Sequence, residues 1–284
     1  MAGTPEWLKQ KIVAYYEETT EKSYLANWSS DALGLHYGLA DETTASASEA
    51  IANNNRYLAD ALGIHDGMRV LDAGCGVGGT SIWMAREQGA RMVGVTLEPN
   101  QAALGMQFAR DRGVADRVEL HVMDYMAMTF DSASFDAAFN LESLCHCADL
   151  PGYFAHLRSL LRSGAPYGCL DLFVGKGAPE LVAEVRDGWS MPNWQPAAVV
   201  VEALEGAGFE DVRLVDLTAQ VRLTAERLLA MASNSQLTMK LDAALGLPAS
   251  AVYEGHVRAA IACSRGLLEG GVTYGYIAAH RSRD

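Results

Sequence analysis

The chain has 284 residues, half of them hydrophobic and a fifth charged, enough for one large core with a substantial cap. Low charge content and only eight prolines exclude a disordered or collagen-like chain, and no apolar run nears the ~18 residues that span a bilayer. A net charge of −13 repels nucleic acid and acidic membranes, so neither is an expected partner.

The start, Met1-Ala2-Gly3-Thr4-Pro5-Glu6, lacks the basic-then-apolar pattern of a leader, and five cysteines without framework spacing fit reduced thiols. The expected setting is the cytoplasm. Cys145-His146-Cys147 has ligand-type residues, but consecutive residues do not readily close one tetrahedral site, and no metal is expected.

Taken in order, residues 5–62 read as two helices around a looser centre, Asn27 to Thr44. Met68 to Ala73 reads as a buried strand ending in glycines, then a helix near 79–88, a strand Arg91 to Thr96 and a helix over about 99–112. Arg117 to Met123 and Phe135 to Asn140 are the third and fourth strands. A helix near 151–162, a strand near 167–174, a helix near 196–207 and strands near 210–217 and 272–280 complete the rhythm. Such alternation predicts an α/β fold: a Rossmann-like, seven-stranded, mostly parallel sheet with helices on both faces and a last strand returning antiparallel. Residues 1–62 form an N-terminal helical segment over the active site. Residues 63–284 form the core, with helical cap insertions at about 176–195 and 218–268, and the whole is effectively one domain. The cap would cover the carboxyl ends of the strands, where ligands of open α/β sheets bind, and line a pocket.

The strongest local signal is Val70-Leu71-Asp72-Ala73-Gly74-Cys75-Gly76-Val77-Gly78-Gly79-Thr80, which follows a strand and opens a helix. Its glycines permit a tight turn and close backbone approach to a ligand. A dinucleotide is the competing ligand. Against it, Asp72 would repel a pyrophosphate but accept from an ammonium, and the third glycine is displaced from the dinucleotide spacing.

On these residues the chain resembles the class I S-adenosylmethionine-dependent methyltransferases, and within them the sterol, tocopherol and prenyl C-methyltransferase-like group. The resemblance implies that the glycine turn, through Gly74 and Gly76 with Asp72, holds the methionine part of S-adenosylmethionine. The run Gly94-Val95-Thr96-Leu97-Glu98-Pro99-Asn100-Gln101 departs from an acidic strand end but matches the Val-Thr-Leu…Gln pattern of that group. It implies Thr96, Leu97 and Gln101 as adenosine contacts. By the same likeness Asp124 accepts from the adenine amino group, Tyr125 packs beside the ring, and Asn140, His36 and Tyr37 complete the cofactor set. Leu35-His36-Tyr37-Gly38, with Trp28 upstream, is similar to the aromatic-His-Tyr-Gly segment that these enzymes lay over the cofactor.

Asn140-Leu141-Glu142-Ser143-Leu144-Cys145-His146 resembles the Glu-…-His stretch after the fourth strand of sterol C-methyltransferases. Methylation of an alkene carbon leaves a carbocation that must lose a proton, and a buried carboxylate serves both needs. Glu142 is the expected base, with His146 beside it to orient it or relay its proton. Aromatic faces stabilise cations, so Tyr37, Phe173, Trp189, Trp194 and Trp28 are the expected pocket walls. The expected activity is methyl transfer to carbon of an apolar, isoprenoid-like small molecule. For a hydroxyl or amine acceptor the base would instead be His146 partnered by Asp171. A third possibility is a fold relative that binds the cofactor without transferring methyl. The oligomeric state stays open, a homo-oligomer included.

Overall fold

The structure is a computed structural model and describes residues 3–21, 25, 31–176 and 179–283. Its centre is a seven-stranded sheet: β1 (Arg69–Ala73), β2 (Arg91–Thr96), β3 (Val118–Val122), β4 (Ala137–Leu141), β5 (Pro166–Val174), β6 (Phe209–Asp216) and β7 (Val272–Arg281). The order across it is β3-β2-β1-β4-β5-β7-β6. β1 to β5 run parallel, and β7 lies antiparallel between β5 and β6, as the sequence predicts.

Neighbouring residues on each inner strand divide between two cores, one per face of the sheet. Val70, Met92, Phe139, Leu170 and Tyr276 belong to one, Leu71, Val93, Ala138, Cys169 and Ile277 to the other. The period-two pleat requires this, and double-sided burial explains why these strands read as continuous apolar runs. Helices α2 (Ala47–Leu62), α3 (Gly79–Glu87) and α4 (Pro99–Asp111) bring Leu58, Ile82 and Ala109 to the first core. Helices α5 (Leu150–Leu160) and α7 (Ala197–Gly206) bring Phe154, Leu157 and Leu204 to the second.

Three cap helices gather around α9 (Ala251–Glu269): α1 (Glu6–Thr19), α6 (Pro179–Gly188) and α8 (Arg222–Ala244). Gly188 of α6 lies so close to Gly255 of α9 that a Cβ there would sit 2.2 Å from the Gly255 carbonyl oxygen. The caps stand over the end of the sheet where β1 to β5 finish and β7 begins, so the loops carrying the expected site residues open beneath them.

Asn140 is a correction. Instead of facing a ligand, its fully buried amide ties four elements together. Its Nδ2 donates to the Ala73 carbonyl (2.7 Å) and to Ser143 Oγ (3.0 Å), while its Oδ1 accepts from the Tyr153 and Tyr167 hydroxyls (2.7 and 2.8 Å). Every donor and acceptor of the amide is used. Asn140→Ala strands these buried partners and is expected to cost about 3 kcal/mol of stability, read by urea unfolding.

Candidate active site

Two cavities meet at the carboxyl ends of the strands. The smaller, about 90 Å³, is a cleft walled by the glycine turn, the ends of β2 and β3, and α1. The turn needs its glycines: Gly74 has φ +95° and Gly76 φ +54°. A Cβ on Gly74 would lie 2.4 Å from Ser143 Cβ, so the backbone itself forms the wall. Thr96 and Gln101 bond each other (2.8 Å), and Glu98 caps α4 by accepting from the Asn100 and Gln101 amides (2.8 and 2.7 Å). That cap explains how an acid two residues past the strand end is built in. Tyr125 lines the cleft and donates to the Ser143 carbonyl at 3.1 Å.

Asp124 also lines the cleft, and the N-terminus binds it. Thr4 donates to it from both amide and hydroxyl (2.7 and 2.9 Å), and Lys9 pairs with it at 3.1 Å. Asp72 lies behind the turn, outside the cleft wall, where Oδ2 accepts from Ser81 Oγ at 2.7 Å. Burial pushes its carboxyl up to about 7.

The larger cavity, about 300 Å³, is enclosed by α1, α8, α9, the segment at 35–37 and the loop around Trp189. Four residues line both spaces: Tyr16, Leu35, Glu142 and His146. Glu142 therefore stands at the junction. Its backbone takes the rare φ of +45° as the chain leaves β4, and the carboxyl is held by two donors on Oε1: the Tyr37 amide and the Tyr274 hydroxyl, each at 2.8 Å. Desolvation first, then the nearby Asp171 charge, holds this carboxyl well above the usual glutamate range.

The expected pairing of His146 with Asp171 is not made. His146 Nδ1 meets the Ser190 carbonyl at 2.9 Å, so Nδ1 carries the proton and Nε2 accepts from the Tyr16 hydroxyl at 3.1 Å. Asp171 accepts from the amides of Leu144 (3.0 Å) and Leu172 (2.8 Å), so it holds the turn that presents His146.

The other expectations divide. Trp189 lines the larger cavity as predicted. Trp194 and Phe173 do not: Trp194 donates its indole N–H to the Leu172 carbonyl (2.8 Å), and both face a minor pocket beside β5. His36 faces the larger cavity and not the smaller cleft, its Nδ1 turned to the Tyr37 carbonyl at 2.7 Å. Tyr37 likewise lines the larger cavity, reaching the junction through its amide. Trp28 lies outside the described residues.

The sequence reading missed Tyr15, Tyr16, Tyr253 and His256, which line the larger cavity. Tyr15 and Tyr16 are adjacent on α1 and reach two histidines, His256 (2.7 Å) and His146. Helical spacing could have grouped Tyr253, His256, Val257 and Ala260, which fall on one face of α9.

The buried titratable groups set a pH dependence. Asp72 and Asp171, both pushed up to about 7 by burial, keep protons that the unfolded chain releases near its ordinary 3.8. The folded state then binds more protons, and stability falls as pH rises through that range. His36 and His256, pushed down to about 4, act oppositely, but only below the ordinary 6.5. The carboxylates alone remain above it. The melting temperature is expected to fall from about pH 6.5 to 8, and less steeply in Asp72→Asn, as read by calorimetric melts.

Residues 70–164 match the methyltransferase domain family. Among curated relatives, the sterol 24-C-methyltransferase of Yarrowia lipolytica is 34% identical over 178 residues, 60% of this chain and 47% of the relative. That of Saccharomyces cerevisiae is 29% identical over 179 residues, with 61% and 47% covered. The chain spans about half the length of the curated relatives it matches. Among solved structures, the geranyl diphosphate C-methyltransferase of Streptomyces coelicolor, bound to Mg2+, geranyl diphosphate and S-adenosylhomocysteine, superimposes with a TM-score of 0.75. It is 22% identical, with 99% of this chain and all of that one covered. A 4+2 cyclase matches with a TM-score of 0.78 at 22% identity over 97% of both chains. The chain thus matches the methyltransferase domain family over residues 70–164, is similar in sequence to sterol 24-C-methyltransferases over about 60% of its length, and shares its fold with a geranyl diphosphate C-methyltransferase.

Proposed function

We propose that the chain is an S-adenosylmethionine-dependent methyltransferase that methylates carbon in an uncharged, isoprenoid-like small molecule, with Glu142 as the base. The observation that carries this is the position of Glu142 at the junction of the two cavities. The smaller cleft fits the cofactor by its donor set. A glycine cradle that a Cβ would fill suits an amino-acid backbone, and Thr96, Gln101, Asp124 and Tyr125 offer the hydroxyl, amide, carboxylate and ring that a nucleoside needs. When bound there, the cofactor supplies an electrophilic methyl group.

The protein's part is positioning, exclusion of water and proton removal. As the acceptor's alkene electrons form the new C–C bond, positive charge develops on the acceptor. The rings of Tyr16, Tyr37, Trp189 and Tyr253 and the Glu142 carboxylate surround that charge. Glu142 then takes a proton from the adjacent carbon, and the C–H electron pair becomes the new double bond.

Among the described residues lining the larger cavity there is no lysine or arginine. Its three histidines are pushed down by burial, which leaves two carboxyl groups as the acid-base pairing partners of the acceptor. This favours an uncharged acceptor over a diphosphate. A hydroxyl acceptor loses support because Tyr16, and not Asp171, partners His146.

The cap is read as residues 1–62 with the 176–195 and 218–268 insertions, all working as one domain with the core. Among the described residues no helix is long and apolar enough to cross a membrane, and the net charge of −13 accords with a cytoplasmic enzyme that has no nucleic-acid partner.

The test is incubation with methyl-labelled S-adenosylmethionine and a panel: farnesol, squalene, a sterol with a side-chain alkene, and geranyl diphosphate with and without Mg2+. Label is expected in a neutral isoprenoid, as a methyl group on carbon by its NMR shift. Label confined to a methoxy group, or to the diphosphate, overturns the acceptor assignment. The likeness to a cyclase favours one further measurement: unlabelled isomers of the added substrate would identify a rearrangement catalyst instead.

A further inference from the structure

We infer that Tyr274, with Asn54 behind it, is a positioning residue that keeps Oε1 of Glu142 occupied and reserves Oε2 as the proton-accepting atom. The inference deepens the function proposed above and rests on it.

The directions of four hydrogen bonds carry it. The Leu39 amide can only donate, so the Asn54 atom that it meets at 2.6 Å is the carbonyl oxygen Oδ1. The other face of that amide is then NH2, which donates to the Tyr274 hydroxyl oxygen at 2.9 Å. With its oxygen engaged from that side, the single phenolic hydrogen turns to Glu142 Oε1 at 2.8 Å. The Tyr37 amide, again a group that can only donate, meets the same oxygen at 2.8 Å. Neither donor can reverse. A proton on Oε1 would face both hydrogens, whereas Oε2 accepts from none of the described residues. Glu142 therefore protonates on Oε2 and keeps Oε1 as its carbonyl oxygen.

The surroundings agree. Tyr274 is fully buried on β7 and Asn54 fully buried on α2, so water does not randomise the chain of bonds. The titratable groups around Glu142 are Asp171 on β5, Cys145 and His146 on the turn after β4, His36 and Tyr37 in the N-terminal loop, Tyr16 on α1 and Cys263 on α9. Burial pushes the two thiols up and the two histidines down, so all four are neutral near pH 7. Asp171, pushed up to about 7 by burial, is the acidic neighbour, and it spends its oxygens on backbone amides. In the reaction the departing hydrogen forms an O–H bond with Oε2, its electron pair stays in the acceptor as the alkene, and the carboxyl later returns the proton to solvent.

The test uses the full chain saturated with S-adenosylhomocysteine and needs no acceptor. Infrared difference spectra between wild type and Glu142→Gln isolate the C=O stretch of the neutral Glu142 carboxyl. Two donors on the carbonyl oxygen place that stretch low. In Tyr274→Phe, which retains the ring, the band is expected to rise. The midpoint of the carboxyl titration should move up by about one pH unit, because the carboxylate loses a donor. A band and midpoint unchanged in a variant that melts like wild type would overturn the inference. If Tyr274→Phe does not fold, difluorotyrosine at position 274, a stronger donor of nearly the same shape, should move both readings the opposite way, and no movement overturns the inference equally. A chain that methylates no acceptor would refute the proposed function, while these spectra still decide the role of Tyr274.

Discussion

Glu142→Gln is expected to bind S-adenosylhomocysteine as wild type does but to turn over about three orders of magnitude more slowly with a carbon acceptor. The amide keeps the shape of the side chain and can still accept at Oε1 from Tyr37 and Tyr274, so the junction between the cavities stays intact. What disappears is the proposed proton acceptor and its negative charge, and general-base loss of this kind costs about 10²- to 10⁴-fold. Calorimetric titration with S-adenosylhomocysteine and labelled-methyl turnover separate the two effects. Wild-type turnover in Glu142→Gln would remove the base from the mechanism. Loss of cofactor affinity in parallel with activity would make the carboxyl a binding group instead.

Gly74→Ala is expected to damage both the fold and the cleft. The residue has φ +95°, and the added Cβ would lie 2.4 Å from Ser143 Cβ. Ser143 cannot easily give way, because its hydroxyl donates to the Ala73 carbonyl at 2.6 Å and accepts from Asn140. Backbone strain and overpacking together cost about 2–4 kcal/mol. The melting temperature should fall by about 5–10 °C. Affinity for S-adenosylhomocysteine should fall about 100-fold, since the wall of the cleft is the backbone that must move. Adding Ser143→Gly relieves the contact but not the dihedral angle, so it should recover part of the loss. Unchanged affinity in Gly74→Ala would mean that the glycine turn holds no ligand.

The core of the fold was legible because each inner strand is buried on both faces and each flanking helix on one, which leaves strong periodic signals. Even the antiparallel return of β7 could be expected from its place in the chain. The smaller cleft was legible for a related reason: glycines at positive φ and the residues just after strand ends are local features. Gly74, Gly76, Thr96, Leu97, Gln101, Asp124 and Tyr125 accordingly all line it. Two of the departures share one physical origin. Asn140 and Trp194 are polar or aromatic residues near the right strand ends, but their bonding is spent inside the core. A one-dimensional pattern does not reveal whether such a group faces a cavity or a carbonyl. The wall of the larger cavity depended on distant pairings, Tyr15 with His256 across 241 positions and Tyr274 with Glu142 across 132, which no local spacing encodes.

Helix α1 is fastened at both chambers: Thr4 and Lys9 hold Asp124 on one side, and Tyr15 and Tyr16 hold His256 and His146 on the other. One helix therefore walls both cavities, with Tyr16 lining each. The two spaces share one piece of wall, so a substitution that unsettles that helix would reshape both at once.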